Sequence, residues 1–204
     1  MGLGTNGGGP ESALQNPQPS TVSENASSVS AWIGLGGNLN DPADTFLQAL
    51  DALRAISGVT LEAVSSLYRT APLGLVDQPD FLNAITRIRT QLSPVELLQC
   101  LLQIEADLGR VRTAQRFSPR LIDLDLLLYG DICVETPELT VPHPRMHQRR
   151  FVLEPLAELE GELRFPGGTM LGEWLDSCPA QSVEKIGRLV GSPEKPSRNH
   201  TPTP

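Results

Sequence analysis

The chain has 204 residues, enough for one domain carrying tails. Its 24 acidic side chains against 16 Lys and Arg give a formal net charge of −8, which argues against a general nucleic-acid binder. No apolar run is long enough to span a bilayer. The cysteines (Cys100, Cys133, Cys178) form no CxxC pair, which disfavours a disulfide framework or zinc knuckle and leads us to expect a reducing, cytoplasmic setting without membrane contact.

Residues 1–28 are rich in Gly, Ser, Asn and Pro and contain no aromatic, Lys or Arg. Such a segment cannot bury enough surface to offset its ordering entropy, so a disordered tail is expected. Residues 179–204 read as a second tail, disordered at its proline-rich end, which leaves 29–178 as the domain. Val29 to Leu35 is a short apolar strand running into Gly36-Gly37-Asn38. Gly34-x-Gly36 lacks the third glycine of a dinucleotide fingerprint, and no Gly-Lys-Ser/Thr exists for a P-loop.

Asp41-Pro42 opens a helix with Asp as N-cap and Pro in the first turn; Phe46, Leu50 and Leu53 form its buried stripe, and Gly58 ends it. Thr60 to Tyr68 reads as a strand, and Thr70 to Gln78 as a long loop. Phe81 to Thr90 alternates as a third strand, with Leu82, Ala84, Thr86 and Ile88 on one face and Phe81, Asn83, Ile85 and Arg87 on the other. Asn83 beside Phe81 is either a heterocycle contact or a polar residue on an open sheet face.

Ser93-Pro94-Val95-Glu96 is a capping box, and Leu97, Leu101, Ile104 and Leu108 make the stripe of its helix, closed by Gly109. An arginine-rich loop leads into Ile122 to Tyr129, the fourth main strand. Ile132-Cys133-Val134 reads as a short return strand. Helical stretches follow around Glu154–Leu159 and Thr169–Asp176, with Trp174 covering the core. His143 and His147 have helical metal-ligand spacing, but Pro142 and Pro144 disfavour a helix there and so a zinc site. Strand, helix, strand, strand, helix, strand is the order of an α+β, ferredoxin-like antiparallel sheet with helices packed on one face, here with a C-terminal extension.

The fourth strand carries the chemistry. Ile122, Leu124, Leu126 and Leu128 would share an apolar face, and Leu121, Asp123, Asp125, Leu127 and Tyr129 the other. The two acids then project from one side with Cα atoms roughly 6.5–7 Å apart. On so apolar a strand they repel and lose hydration, so they need a partner, either arginine or a cation. Hard oxygen ligands at this spacing suit Mg²⁺, which keeps several waters and bridges to phosphates. Arg110, Arg112, Arg116 and Arg120 lie just before them, and guanidinium groups suit phosphate recognition. Together they fit a metal–polyphosphate; the alternative is a solvated loop whose arginines neutralise the local acids.

Arg116-Phe117-Ser118-Pro119-Arg120-x-x-Asp123-Leu124-Asp125-Leu126-Leu127 resembles the signature of the 6-hydroxymethyl-7,8-dihydropterin pyrophosphokinase family, with Ser118 where Gly or Ala is usual. Tyr68-Arg69-Thr70-x-Pro72-x-Gly74, Asp77-Gln78-Pro79-Asp80-Phe81-x-Asn83, Gly109-Arg110-Val111-Arg112, Val141-Pro142-His143 and Arg149-x-Phe151 match in the same order. The resemblance implies transfer of pyrophosphate from ATP to the pterin 6-hydroxymethyl group, releasing AMP, in folate biosynthesis. It implies two Mg²⁺ ions on Asp123 and Asp125, with Arg110 and Arg120 stabilising the transferring phosphates. It implies pterin contacts from Thr70, Pro72, Leu73, Phe81, Asn83 and Phe151. Gln78, Glu105, Arg110, Arg112, Arg120, Ile122, Thr140, His143 and Arg149 are expected around ATP, and a monomer is expected. Thr113, Phe117, Pro144 and Gly37 depart from the residues frequent in the family.

Overall fold

The computed structural model describes residues 27–72, 77–110 and 118–189, so both tail ends lie outside the described residues. The chain runs β1 (Val29–Gly37), α1 (Pro42–Ala55), β2 (Val59–Val64), β3 (Ser66–Thr70), β4 (Phe81–Thr90), α2 (Pro94–Asp107) and β5 (Asp123–Tyr129). A hairpin of β6 (Val134–Glu135) and β7 (Thr140–Val141) follows, then α3 (Arg150–Leu159), α4 (Leu171–Ser177) and β8 (Val183–Arg188). The main sheet has the order β5–β1–β4–β3–β8, with β2 also on β4, and its pairings are antiparallel. The βαββαβ unit is the expected α+β, ferredoxin-like arrangement with α1 and α2 on one face, and the C-terminal extension adds α3 and α4 on the other.

Both helices of the βαββαβ unit begin as their sequences dictate. Asp41 accepts from the Ala43 and Asp44 amides at 3.1 and 3.2 Å, and Ser93 and Glu96 close a reciprocal capping box. Phe46, Leu50, Leu53, Leu97, Leu101 and Ile104 meet Ala31, Ile33, Leu35, Ala84 and Ile88 on one sheet face. Each such fully buried side chain contributes roughly 1.5–3 kcal/mol relative to exposure. The opposite face, with Trp32, Ile85 and Leu127, is covered by Val152, Leu153, Leu156 and Leu159 of α3 and Leu171 of α4. Trp174 stacks on Phe165 with ring centroids 3.8 Å apart.

Three details differ from the sequence expectation. The strand expected over 60–68 breaks at Ser65 into β2 and β3. Ser65 donates its amide to the Ile85 carbonyl (2.8 Å), and its hydroxyl accepts from the Ile85 amide (2.9 Å), so the kink leaves no ladder group of Ile85 unpaired. In β5, Ile33 lies opposite Leu126 and Trp32 opposite Leu128, which leaves Leu127 as a bulge residue. The bulge reverses the alternation beyond it. Leu128 therefore joins Leu127 under α3 instead of Leu124, and Tyr129 joins the α1–α2 side. The third difference is β8, which lies within the stretch read as a tail and pairs with β3.

Glu158 of α3 fastens this edge. It accepts from the Tyr68 hydroxyl (2.8 Å), the Ser66 hydroxyl (2.9 Å) and the Ser66 amide (3.1 Å), and pairs with Lys185 of β8 at 3.3 Å. Burial alone would raise its pKa, but the Tyr68 and Ser66 hydrogen bonds and Lys185 hold it below the usual glutamate value. A lowered carboxyl pKa stabilises the fold above the unfolded-state value, and that stability is lost as pH falls through the folded-state value. Glu158→Gln is therefore expected to destabilise the protein at pH 7 by about 1–3 kcal/mol. The gap to the parent should narrow as pH falls below the ordinary glutamate range and vanish below the lowered folded-state value. Thermal melts across pH 3–8 check this; a constant gap would show that the ionised form is not what matters.

Candidate active site

The α3 layer leaves part of the second face open, and a cleft forms there. Its floor is Gly34 and Gly36 of β1, between Asn83 and Ile85 of β4 and Asp123, Asp125 and Leu127 of β5. Thr70, Ala71 and Phe81 close one side. Arg145, Gln148, Arg149, Phe151 and Val152, around the start of α3, close the other, and Arg120 joins them.

One end suits a flat heterocycle. Phe81 and Phe151 are half-buried, and Asn83 is buried between β1 and β3. The Asn83 amide nitrogen donates to the Thr70 hydroxyl at 2.9 Å, which fixes the side chain and leaves its carbonyl oxygen for a ligand. Arg120 lies 5.2 Å over the Phe81 ring, and Arg149 5.8 Å over the Phe151 ring. Each arginine thus ties the aromatic end to the charged one.

The charged end is a network. Arg110 bridges Glu105 and Asp123, with 2.6 Å to the Asp123 Oδ1. Arg120 meets the other Asp123 oxygen at 2.8 Å. Burial works against the Arg110 charge, but Asp123 and Glu105 outweigh it and push its pKa up. Asp125 has weaker support, Arg149 at 3.5 Å. Burial, then the Asp123 charge, push the Asp125 carboxyl up from its ordinary value; His143, Arg149 and Arg120 oppose the rise. Burial also holds His143 below the usual histidine value against the pull of Asp125. The His143 ring accepts the Arg145 amide at its Nδ1 (3.3 Å), which leaves Nε2 to carry the ring proton in the neutral form.

Asp123 and Asp125 share one side of β5, as their spacing requires, and face the cleft. Among the described residues no three or more His, Cys, Asp or Glu surround a common ion position. Two carboxylates without a full protein cage fit Mg²⁺, which completes its shell with water and substrate phosphates. The desolvated, like-charged Asp125 is what a divalent cation would relieve.

The family model "7,8-dihydro-6-hydroxymethylpterin-pyrophosphokinase (HPPK)" matches residues 32–161. The chain belongs to the HPPK family. It is 44% identical over 155 residues to the 2-amino-4-hydroxy-6-hydroxymethyldihydropteridine pyrophosphokinase of Pseudomonas aeruginosa, covering 76% of this chain and 95% of that protein. The enzyme of the same name from Haemophilus influenzae is 43% identical over 158 residues, covering 78% of this chain and 98% of that protein. Among solved structures, Plasmodium falciparum HPPK-DHPS with pteroate superposes with a TM-score of 0.60 at 14% identity, over 76% of this chain. This chain spans 43% of that one, so the likeness supports the HPPK fold alone. As an HPPK, the chain transfers pyrophosphate from ATP to 6-hydroxymethyl-7,8-dihydropterin in folate biosynthesis, and the family uses Mg²⁺.

Of the residues the HPPK resemblance implies, the cleft brings together Thr70, Phe81, Asn83, Arg120, Asp123, Asp125, Arg149 and Phe151. Pro72 follows Ala71 of the lining but is not part of it. Leu73 and Arg112 lie outside the described residues. Gln78, Thr140 and His143 also stand outside the lining; Thr140 is exposed on β7. Two further nucleotide expectations, Glu105 and Ile122, also lie outside the lining. Glu105 is 2% exposed, and its carboxylate pairs with Arg110 and accepts the Leu124 amide (2.7 Å). The Ile122 side chain is wholly buried in the α1–α2 core, packed away from the cleft.

The cleft also uses residues that sequence reading passed over. Asn38 is buried; its amide nitrogen donates to Gln78 Oε1 and the Pro79 carbonyl, each at 3.1 Å, and its oxygen accepts the Arg120 amide at 2.9 Å. It holds the loop before β4 to the backbone of a site arginine. Arg145 and Gln148 line the mouth. Their positions depend on the short 3₁₀ turn Met146–Gln148, which no periodicity signals.

Proposed function

We propose that the transfer takes place in this cleft, with the pterin at the Phe81–Asn83–Phe151 end and the ATP phosphates at the Asp123–Arg120–Arg149 end. The observation that carries the assignment is that one cleft joins a fixed amide between two aromatics to two carboxylates ringed by guanidinium groups. Asn83, held by Thr70, would read the pterin edge, and Phe81 and Phe151 would flank the ring. Pro72 and Leu73 would border the pterin. Gln78, Arg112, Thr140, His143 and Arg149 would surround the nucleotide.

Release of AMP requires that the pterin hydroxyl oxygen bond to the β-phosphorus while the bond to the α–β bridging oxygen breaks. Negative charge then grows on the bridging oxygen and on the transferring group. Arg110 and Arg120, anchored next to the acids, supply fixed positive charge there. Asp123 and Asp125 would hold two Mg²⁺ ions, whose contribution is to neutralise phosphate charge and align the reacting oxygens. The folded unit from β1 to β8 carries this activity in a cytoplasmic monomer, and the acidic net charge supports the absence of a nucleic-acid partner. No described helix is long and apolar enough to cross a membrane.

One assay tests the proposal. The protein is incubated with ATP and 6-hydroxymethyl-7,8-dihydropterin, with Mg²⁺ or with a chelator. AMP and the pterin diphosphate are expected only with Mg²⁺. ADP as the product would mean single-phosphoryl transfer, and no turnover would reduce the cleft to a binding site.

A further inference from the structure

Gly34 and Gly36 are glycines that neither the backbone nor the packing demands. Both lie inside β1, and neither has a positive φ. A Cβ on Gly34 would meet Leu127 at 3.4–3.6 Å, and one on Gly36 would meet Asn83 Oδ1 at 3.6 Å and the Asp123 Cβ at 3.8 Å. These are ordinary contact distances, so alanine fits at either position. Gly37 differs: a Cβ there would come within 2.5 Å of the Leu121 carbonyl oxygen, which makes it a structural glycine. Glycine inside a strand weakens it, because chain entropy is lost and nothing is packed in return. Gly34 also lies beside the Leu127 bulge; at Gly36, neither strained, crowded nor next to the bulge, close approach by a ligand is the remaining physical reason for a glycine.

Their place in the sheet says which ligand part approaches. Gly36 pairs with Asn83 on one side and Asp123 on the other; Gly34 pairs with Ile85 and Asp125. Trp32, two residues earlier on the same face, is packed under α3, so the floor becomes free of side chains where the cleft begins. We propose that Gly34 and Gly36 form a bare track on which the dihydropterin lies against the β1 backbone. Gly36 marks the point where the 6-substituent passes from the ring site at Asn83 to the acids. Gly36 is then a specificity residue: it sets how much substituent can cross between β4 and β5. This rests on the placement of the pterin proposed above.

Gly36→Ala and Gly34→Ala test it by separating stability from binding. Both variants should melt at or above the parent temperature, because alanine narrows the unfolded ensemble and fits the folded one. Calorimetry should find 6-hydroxymethyl-7,8-dihydropterin bound at least about tenfold more weakly by Gly36→Ala, with MgATP affinity unchanged. A dihydropterin lacking the 6-substituent should lose less. Gly34→Ala should show a smaller loss, since it sits beyond the junction, under Leu127. A lower melting temperature would make Gly36 a structural glycine. Unchanged pterin affinity, or equal losses for both pterins or for pterin and MgATP, would remove the track. If the parent itself fails to bind the dihydropterin, the placement of the pterin is what fails, and the track falls with it.

Discussion

Asp125→Ala is expected to lower pyrophosphoryl transfer by roughly three powers of ten or more, while the metal-free protein melts no lower than the parent. The two halves of this result come from different observations. The catalytic loss follows from removing one of two carboxylates that face the cleft. The undiminished stability follows from what Asp125 lacks: its partner Arg149 is 3.5 Å away, and burial beside Asp123 disfavours its charge. Asp123→Ala should abolish transfer as well, but at a structural cost. Both Asp123 oxygens are engaged, by Arg110 and Arg120, and Arg110 would be left with Glu105 alone. Loss of such a charge-assisted pair costs about 1.5–3 kcal/mol. Melts in chelator rank the variants as parent and Asp125→Ala together, Asp123→Ala below. Saturating MgATP at about 100 times its Kd should stabilise the parent by about 2.7 kcal/mol and Asp125→Ala by less. An Asp125→Ala protein that is destabilised yet still releases AMP would mean that the acid serves the arginines and not a metal.

Much of this was legible because the responsible interactions are local. Asp41-Pro42 and Ser93–Glu96 cap helices with groups three residues away or nearer. Asp123 and Asp125 fall on one side because a strand alternates, whatever lies beside it. The misses are non-local. The Leu127 bulge exists only relative to β1, and it moves Leu128 and Tyr129 to opposite layers. β8 is exposed along most of its length, so its residues carry no apolar alternation; what defines it is the edge offered by β3. Glu105 sits on the helical face of Leu101 and Ile104, where a glutamate is legible only once Arg110 folds back onto it. Asn38 reads as a turn residue until the loop at Gln78 and the Arg120 backbone come to meet it.

Arg120→Ala should slow the chemical step by about 10²–10³-fold while weakening ATP binding far less. Its backbone is pinned: the amide donates to Asn38 Oδ1 (2.9 Å), and the carbonyl accepts the Asn38 amide (3.0 Å). Losing the side chain therefore leaves the loop and the acids in place. The guanidinium lies over Phe81 and bonds Asp123 with one nitrogen. An Asp123 oxygen cannot serve both a metal and Arg120 fully. When it turns to a metal, Arg120 is freed at the junction of the pterin and phosphate ends, where charge grows during transfer. Arg120→Lys should recover little, because an ammonium is a point charge without the planar fork that stacks and bonds two oxygens at once. Single-turnover rates with bound MgATP, set beside calorimetric ATP affinities, divide the two effects. An unchanged rate with weakened ATP binding would make Arg120 a positioning residue, and the charge stabilisation would then rest with Arg110 and Arg149.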